Sequence, residues 1–165
     1  MVGDDAVPGA RMVATRSIDL ASSPGDVFPW LVQMGFGRAG WYSHDLLDNL
    51  GRRSAERIVP EWQGLAEGDT VPGGPVSFRA VVVRAPREFV IVLDTHGRIG
   101  GRVSFSLAYQ LNAVPTGTRL VTRARARVDL PFGRLVETLV LAPGDGIMVR
   151  RQLRGLAQRT GHAHP

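Results

Sequence analysis

Alternating hydrophobic and polar positions fill the middle of the chain and predict an antiparallel sheet. Runs of this kind, rich in β-branched and aromatic residues, cover 12–20, 76–84, 88–94, 102–111 and 118–128. A short edge strand is expected after Gly68-Asp69. Turn-forming connections such as Ala85-Pro86-Arg87 and Pro115-Thr116-Gly117 separate neighbouring runs. Connections of this length join antiparallel strands, so we expect hairpins.

The same alternation assigns the strand faces. Phe105, Leu107 and Tyr109 share one face of their strand, and the serines at 104 and 106 lie on the other. In 118–128, small or apolar residues alternate with arginines. Each strand is therefore expected to have one buried face and one solvated face. Arg79 is out of phase with its apolar neighbours and is predicted to be exposed.

Helical periodicity appears after the first predicted strand and again after the last one. Ser23-Pro24-Gly25-Asp26 combines a capping residue, a proline suited to the first helical position and an early acid. Apolar residues follow at helical spacing from Val27 to Met34, and Gly35 is a natural stop. A second short helix is expected from His44 to Leu50. Two further helical segments are predicted at 135–141 and 147–158, with an apolar stripe in the second.

Composition places the chain among globular proteins of one domain. With 165 residues, 44% hydrophobic and 21% charged, it is long enough for a substantial core. We expect a flexible N-terminal arm at 1–10, a single domain at 11–160 and a flexible tail at 161–165. No apolar run spans a membrane, and the acidic start does not resemble a secretory signal. With no cysteine to form disulfides or thiolate sites, we expect a cytoplasmic protein.

The net charge of +5 raises the question of an anionic partner. Arginines are concentrated in the last predicted strand and in the C-terminal helix, at positions 119, 123, 125, 127, 150, 151, 154 and 159. They could contact nucleic acid or an anionic membrane, or they could be solvated faces of a strand and a helix. No nucleic-acid motif accompanies them, so we favour the second interpretation and expect no nucleic-acid partner.

A glycine-rich aromatic segment, here called the aromatic loop, lies between the two N-terminal helices. It runs from Trp30 to Asn49 and contains glycines at 35, 37 and 40 that allow tight backbone turns. Large aromatic rings in a loop are costly to leave in water. We therefore expect these rings to line or cover another part of the molecule.

Four stretches resemble the START-like, or SRPBCC, superfamily, which includes polyketide cyclases and birch-pollen-allergen proteins. They are Ala21 to Leu31, Gln33 to Asn49, Ile58 to Gln63 with Gly68-Asp69, and Pro143-Gly144-Asp145 with Met148 and 153–156. The second and third are similar to an uncharacterised bacterial subgroup, in which a tyrosine is expected where this chain has His44. The resemblance implies an α+β helix-grip fold, in which a curved antiparallel sheet wraps around a long C-terminal helix and two short helices follow the first strand.

In that fold a cavity between sheet and helices binds lipids, sterols, polyketides or other apolar molecules, and some members catalyse cyclisation or hydrolysis there. The resemblance implies a pocket but transfers no mechanism. Our candidates for its wall are Trp30, Met34, Trp41, Tyr42, Phe78, Phe105, Tyr109 and Met148. For Trp41 and Tyr42 an equally strong alternative is that they anchor their loop in the core.

Polar candidates come from the same segment. Arg38 could pair with Glu61, Asp45 or Asp48 and orient a ligand carbonyl or carboxylate, although such pairs more often only fix a loop. Arg38 and Glu61 are therefore included as candidate ligand-binding residues.

Three residues are candidates for acid–base catalysis. His44 and Asp48 share a helix face at spacing i, i+4. The pair could act as a general base, form a surface ion pair or make an interaction at the helix start. The Tyr109 hydroxyl could donate to a ligand oxygen, or it could be a core tyrosine with a partner in the protein. The histidines show no metal-ligand clustering, and no phosphate loop, nucleophile elbow or dinucleotide fingerprint is present. We expect no metal and no cofactor.

Three functions remain, in this order. The first is binding of a small, largely apolar or aromatic molecule in a cavity, by a monomer or homodimer. The second is a polyketide cyclase- or aromatase-like enzyme that uses acid–base residues in that cavity. The third is an interaction or nucleic-acid module built on the arginine strand.

Overall fold

An antiparallel six-stranded sheet and a C-terminal helix make up most of the computed structural model, which describes residues 1–96, 101–138 and 142–161. The strands are β1 (Met12–Leu20), β2 (Thr70–Pro72), β3 (Ser77–Arg84), β4 (Glu88–His96), β5 (Arg102–Val114) and β6 (Gly117–Asp129). The helices are α1 (Pro24–Val32), α2 (Asp45–Asp48), a 3-10 turn at Pro60–Trp62, α3 (Gly133–Val136) and α4 (Ala142–Gly161). The predicted α+β class is confirmed.

The sheet has the strand order β1-β6-β5-β4-β3-β2, and all neighbours are antiparallel. The predicted hairpins are therefore correct, and β1 has the predicted bounds. β5 and β6 are longer than predicted because Val114 still pairs with Gly117 across the turn. At the β2 edge, the Phe36 N–H donates to the Pro72 carbonyl at 2.7 Å, so the aromatic loop covers part of that edge.

Local sequence explains where the helices begin and end. At the start of α1, Ser23 and Asp26 form a reciprocal capping box, as the residue types predict. α2 is shorter than predicted because the backbone turns left-handed at Leu50, with φ 49°. α4 begins earlier than predicted, at Ala142, since Pro143 is tolerated in the first turn of a helix. No helix in the described ranges is long and apolar enough to cross a bilayer.

The predicted helix at 135–141 and the predicted tail at 161–165 lie only partly within the described residues. Of the predicted helix at 135–141, α3 covers only the beginning, and residues 139–141 lie outside the described residues. Of the predicted tail, Gly161 is the last residue of α4, and 162–165 lie outside the described residues.

One face of the sheet, here called the inner face, packs against α1 and α4. The α4 stripe of Val149, Leu153 and Leu156 is buried in this core, as predicted. The strand register aligns inner side chains in three rows: Leu93, Phe105 and Ala126; Ile91, Leu107 and Ala124; and Phe89, Tyr109 and Thr122. Arg79 is exposed, as its phase predicts.

The outer face of the sheet is not uniformly solvated, which corrects the prediction. Residues 1–10, treated above as a flexible arm, lie across β4, β5 and β6. Val7 is buried, the Asp4 carboxylate accepts a hydrogen bond from Arg123 at 2.6 Å, and Gly3 lies directly against Val90. Val90, Ser106 and Ala108 are consequently buried on the outer face. Strand alternation alone could not reveal this cover, because it is provided by a segment without periodicity.

Candidate ligand-binding site

The aromatic loop is closed by its own glycines. Gly35 and Gly40 exchange two backbone hydrogen bonds, of 3.1 and 3.0 Å, and form a small isolated bridge just after α1. At Gly40, φ is 76°, and a Cβ atom there would lie 2.5 Å from the Ser54 hydroxyl. Only glycine therefore permits the loop to pack this closely on residue 54. This closure fixes where the chain emerges at Trp41 and Tyr42.

Gln33 is the centre of a buried hydrogen-bond network beneath the loop. Its Nε2 donates to the Tyr42 hydroxyl at 2.9 Å, and its Oε1 accepts from the Val59 N–H at 3.0 Å and from Gln63 at 3.2 Å. The Tyr42 hydroxyl in turn donates to the Trp30 carbonyl at 3.0 Å. Gln33 was not among the predicted site residues, since it caps the C-terminus of α1 and no sequence pattern around it marks a special role.

Tyr42 therefore anchors the loop rather than bordering an open pocket. Its side chain is buried, and burial raises the pKa of its hydroxyl well above the ordinary value. The Trp30 ring meets the Tyr42 ring edge-to-face with centroids 5.9 Å apart. Tyr42 thus follows the anchoring alternative, and Trp30, predicted to line the pocket, is itself buried.

Trp41 is also buried, at 9% exposure, and its ring contacts the sheet. Its ring meets Phe78 edge-to-face at 5.6 Å, and Phe78 meets Phe105 at 6.2 Å. These three residues, here called the aromatic row, join the loop to β3 and β5. Phe78 and Phe105 lie on the core side of the sheet yet stay only partly buried. Three of the residues predicted to form the ligand wall are therefore in one continuous contact series.

Burial increases along the inner face away from the aromatic row. In the row of Phe89, Tyr109 and Thr122, each side chain is at most 1% exposed. In the row of Leu93, Phe105 and Ala126, the first two are only half-buried. The inner face is thus tightly filled at the Tyr109 level and accessible at the Phe105 level.

Tyr109 points inward, as alternation predicts, and it has a protein partner. Its hydroxyl donates to the Gln152 Oε1 at 2.8 Å, and its ring stacks on Phe89 with centroids 6.0 Å apart. Gln152 Nε2 lies 3.5 Å from the Met34 sulfur. Met34 is fully buried, so this network fixes α1, β5 and α4 together. Tyr109 and Met34 thus occupy the closed part of the core.

His44 and Asp48 are joined through the backbone rather than through the imidazole. The Asp48 Oδ2 accepts from the His44 N–H at 3.3 Å at the start of α2. Burial raises the pKa of the Asp48 carboxyl, although backbone hydrogen bonds oppose the shift. Its Oδ1 is buried and has no hydrogen-bond partner in the described part of the chain. The spacing i, i+4 thus gives a helix-start interaction here, which is one of the alternatives considered above.

The predicted cluster of Arg38 with carboxylates does not form. Arg38 Nη2 donates to the carbonyls of Val32 at 3.2 Å and Trp62 at 2.9 Å, and Glu61 is exposed. Among the described residues, no ion pair joins Arg38 to Glu61, Asp45 or Asp48. Backbone carbonyls at a helix end and a turn satisfy the guanidinium instead. Arg38 and Glu61 both line an open cleft of about 460 Å³ beside β2.

Met148 lies off the buried stripe of α4. It is 38% exposed, and its carbonyl accepts a hydrogen bond from the Ser43 hydroxyl at 3.0 Å. This bond holds the segment before α2 against the first turns of α4. Met148 is therefore at the surface near α2 and not in a closed wall, because Val149, one position later, takes the inward direction.

The C-terminal half of α4 is attached both to the aromatic loop and to the segment after α2. A Cβ atom on Gly155 would collide with the Tyr42 carbonyl, so helix and loop are in direct backbone contact. Arg159 Nε donates to the Ala55 carbonyl at 2.7 Å. Gly155 was noted above only within a stretch of family resemblance and Arg159 only among the helix arginines. Their contacts could not be predicted, since the partners lie about a hundred positions away.

No group of three His, Asp or Glu side chains that could hold a metal ion occurs among the residues that the structure describes. The side chain of His96 and the histidines at 162 and 164 are outside that description.

Comparison with solved structures identifies proteins of similar fold. The chain aligns over 93% of its length with all of protein MLL2253 from Mesorhizobium loti, with a TM-score of 0.59 and 12% identity. It aligns over 93% with 96% of NE0264 from Nitrosomonas europaea, with a TM-score of 0.59 and 10% identity. A conserved protein from Geobacillus kaustophilus matches with a TM-score of 0.52 and 13% identity, covering 93% of this chain and 98% of that one. At these identities the similarity shows the fold alone. No family model and no curated protein matches the sequence.

Proposed function

We propose that this chain binds a small, largely apolar molecule at the aromatic row, between the inner face of the sheet and α4. The observation that carries the proposal is the partial exposure of Phe78 and Phe105 on the core side of the sheet. Side chains that face a core are normally buried, as Phe89 and Tyr109 are. Rings left accessible there form an apolar surface that a ligand can cover.

The energetics favour an apolar or aromatic ligand. Fully burying an exposed phenylalanine side chain is worth about 1.5–3 kcal/mol, and Phe78 and Phe105, which are already partly buried, would each contribute a fraction of that when a ligand covers them. The edge-to-face contacts hold the three rings in fixed positions, so little conformational entropy is lost on binding. The inner side chains beside Phe105 and Leu107 on β6 are Ala126 and Ala124, which are small and buried.

A helix-grip arrangement is part of this proposal. An antiparallel sheet that packs its inner face against a long C-terminal helix, with short helices after the first strand, supports it. The sequence resemblance to START-like proteins adds the expectation of a ligand between these elements. Similarity of fold alone does not determine which ligand is bound.

Enzymatic cyclisation is the second hypothesis and has weaker support. The Tyr109 hydroxyl donates to Gln152, and Asp48 accepts from the backbone of His44. Both groups therefore have partners within the protein. Among the described residues, the buried Oδ1 of Asp48, which has no hydrogen-bond partner there, suits a proton donor.

Binding of the neutral fluorescent probe N-phenyl-1-naphthylamine tests the proposal. We expect Phe105→Ala to weaken the Kd about tenfold, because an aromatic contact surface is removed. Phe132→Ala is the matched control, since Phe132 is 79% exposed in the loop after β6 and outside the aromatic row. Circular dichroism establishes that both variants fold. Equal probe binding by the two variants would refute the site.

Extraction of purified protein followed by mass spectrometry identifies the natural ligand class. A compound that co-purifies with the native chain but not with Phe105→Ala would support binding at the aromatic row. Conversion of such a compound by the native chain, lost in Asp48→Asn, would favour the enzyme.

A further inference from the structure

An open groove of about 300 Å³ lies between β1 and α4. Three arginines, one serine and two aliphatic residues line it: Arg16, Arg150, Arg154, Ser17, Ile18 and Leu153. Arginines lie on both sides, with Arg16 on β1 and the other two on α4. The groove shares no residue with the aromatic row.

Arg150 and Arg154 have no carboxylate beside them in the described lining of the groove. Arg150 and Arg154 are exposed, lie one helical turn apart, and have no ion pair or hydrogen bond within the described ranges. Like charges at this spacing repel each other and destabilise a helix. A bound anion would remove that cost.

The arginines of the outer face are in a different situation. Arg119 pairs with Asp19 at 2.8 Å, and Arg123 pairs with Asp4 at 2.6 Å. Arg127 pairs with Asp129 at 2.7 Å. These guanidinium groups already have carboxylate partners, so the outer face is a poor site for a polyanion. Arg150 and Arg154 on α4 have no such partner among the described residues.

The aliphatic side chains of the groove restrict the kind of anion. Leu153 is buried and belongs to the core, whereas Ile18 is only partly buried and packs against it. An anion with an apolar portion can place its charged group between the guanidiniums and its apolar part on these side chains. A nucleic-acid backbone offers no apolar group for this contact.

We propose that the groove between β1 and α4 is a binding site for a small anionic amphiphile, in which a phosphate, sulfate or carboxylate group carries an apolar chain. Arg150 and Arg154 bind the anionic group from the helix, and Ile18 contacts the chain.

Isothermal titration calorimetry with n-octyl phosphate below its micellar concentration tests this site. We expect the double variant R150Q/R154Q to bind about tenfold more weakly, because charge-assisted hydrogen bonds are lost. R151Q is the matched control, since Arg151 is exposed on the same helix but does not line the groove. Inorganic phosphate and 1-octanol, which each carry half of the chemistry, should bind more weakly than octyl phosphate. Circular dichroism checks that the variants fold.

Three results of the binding measurements would contradict the proposed site. Unchanged octyl phosphate binding in R150Q/R154Q would overturn the site and assign the probe elsewhere, the aromatic row included. If R151Q and the double variant lost the same affinity for octyl phosphate, the overall charge of the helix would explain the binding. That result would also overturn the site. Binding of a short oligonucleotide that is tighter than octyl phosphate and depends on both arginines would replace the amphiphile by a polyanion.

Phosphatidylglycerol vesicles distinguish a lipid head group from a free amphiphile. Co-sedimentation of the native chain, lost in R150Q/R154Q, would support the site with a membrane lipid as source. Octyl phosphate binding without co-sedimentation would support the site with a soluble ligand.

Discussion

The guanidinium of Arg159 lies over the ring of Tyr42, with its Cζ 4.7 Å from the ring centroid. The same side chain donates to the Ala55 carbonyl at 2.7 Å. Arg159, near the end of α4, thus contacts the aromatic loop at Tyr42 and the segment after α2 at Ala55. The loop shape is therefore a tertiary property, set by a helix that is more than a hundred residues away.

Arg159→Ala should lower the free energy of unfolding by about 2 kcal/mol, because a charged hydrogen bond and a cation–π contact are lost together. Urea unfolding monitored by tryptophan fluorescence measures the change. Arg151→Ala, which removes an exposed arginine of the same helix, should stay within about 0.5 kcal/mol of the native value. Equal effects of the two substitutions would show that the contacts of Arg159 with Tyr42 and Ala55 do not stabilise the fold.

Gln33→Leu should cost about 3 kcal/mol, since it leaves the Val59 N–H and the Gln63 amide without their shared buried acceptor. The comparison is Gln110→Leu, whose amide makes only a surface contact with Asn112. Thermal and urea unfolding of both variants give the difference. A loss no larger for Gln33 than for Gln110 would show that water replaces the network.

Gly155→Ala should destabilise the fold by about 1–3 kcal/mol, because the new Cβ meets the Tyr42 carbonyl and forces α4 and the loop apart. In Gly161→Ala, at the end of the same helix, the new methyl group meets nothing within 4 Å. That control should be neutral or slightly stabilising. Native stability in Gly155→Ala would mean that the backbone contact is not tight in solution.

Acid should destabilise the protein partly through Glu137. Burial alone would raise the pKa of this carboxyl, but hydrogen bonds from Arg11 and from the Val128 N–H hold it below its ordinary value. The stability that it contributes is therefore present above the pKa of an unfolded glutamate, about 4.3, and is lost as the pH falls through the lower folded value. Urea unfolding at a series of pH values should show a flatter acid profile for Glu137→Gln than for Glu61→Gln.

Asp48 should make the stability of the protein depend on pH in the opposite direction to Glu137. Burial raises the pKa of its carboxyl in the folded chain, so ionisation is harder there than in the unfolded chain. Stability is then lost as the pH rises through the folded value. We expect Asp48→Asn, which can still accept from the His44 N–H, to be more stable than the native chain at pH 7. This gain should disappear below the pKa of an unfolded aspartate, about 3.9, and Asp5→Asn, on an exposed residue, should show no gain.

The strands could be predicted from the sequence because alternation and turn residues are local signals. β1 has its predicted bounds, and the inward position of Tyr109 follows from its phase with Phe105 and Leu107. The stripe of α4 follows from helical spacing for the same reason.

The candidate site was less predictable because its contacts are not local. Arg38 binds carbonyls of two separate segments, and no residue spacing encodes a backbone partner. The exposure of Met148 depends on the rotation of α4, which the sequence pattern defined only for its apolar stripe. The cover over Val90 comes from a segment with no periodicity.

The C-terminal half of α4 is held at several points, and this limits where a ligand could enter the proposed site. The Gly155–Tyr42 contact, Arg159 and the hydrogen bond from the Ser22 hydroxyl to the Thr160 carbonyl, at 2.8 Å, all hold this half of the helix. Farther toward the N-terminus of α4, the Ser43 hydroxyl donates to the Met148 carbonyl, and Ile147 is 64% exposed. An entrance that requires the C-terminal half of α4 to move would break the contacts at Gly155, Arg159 and Thr160 at once.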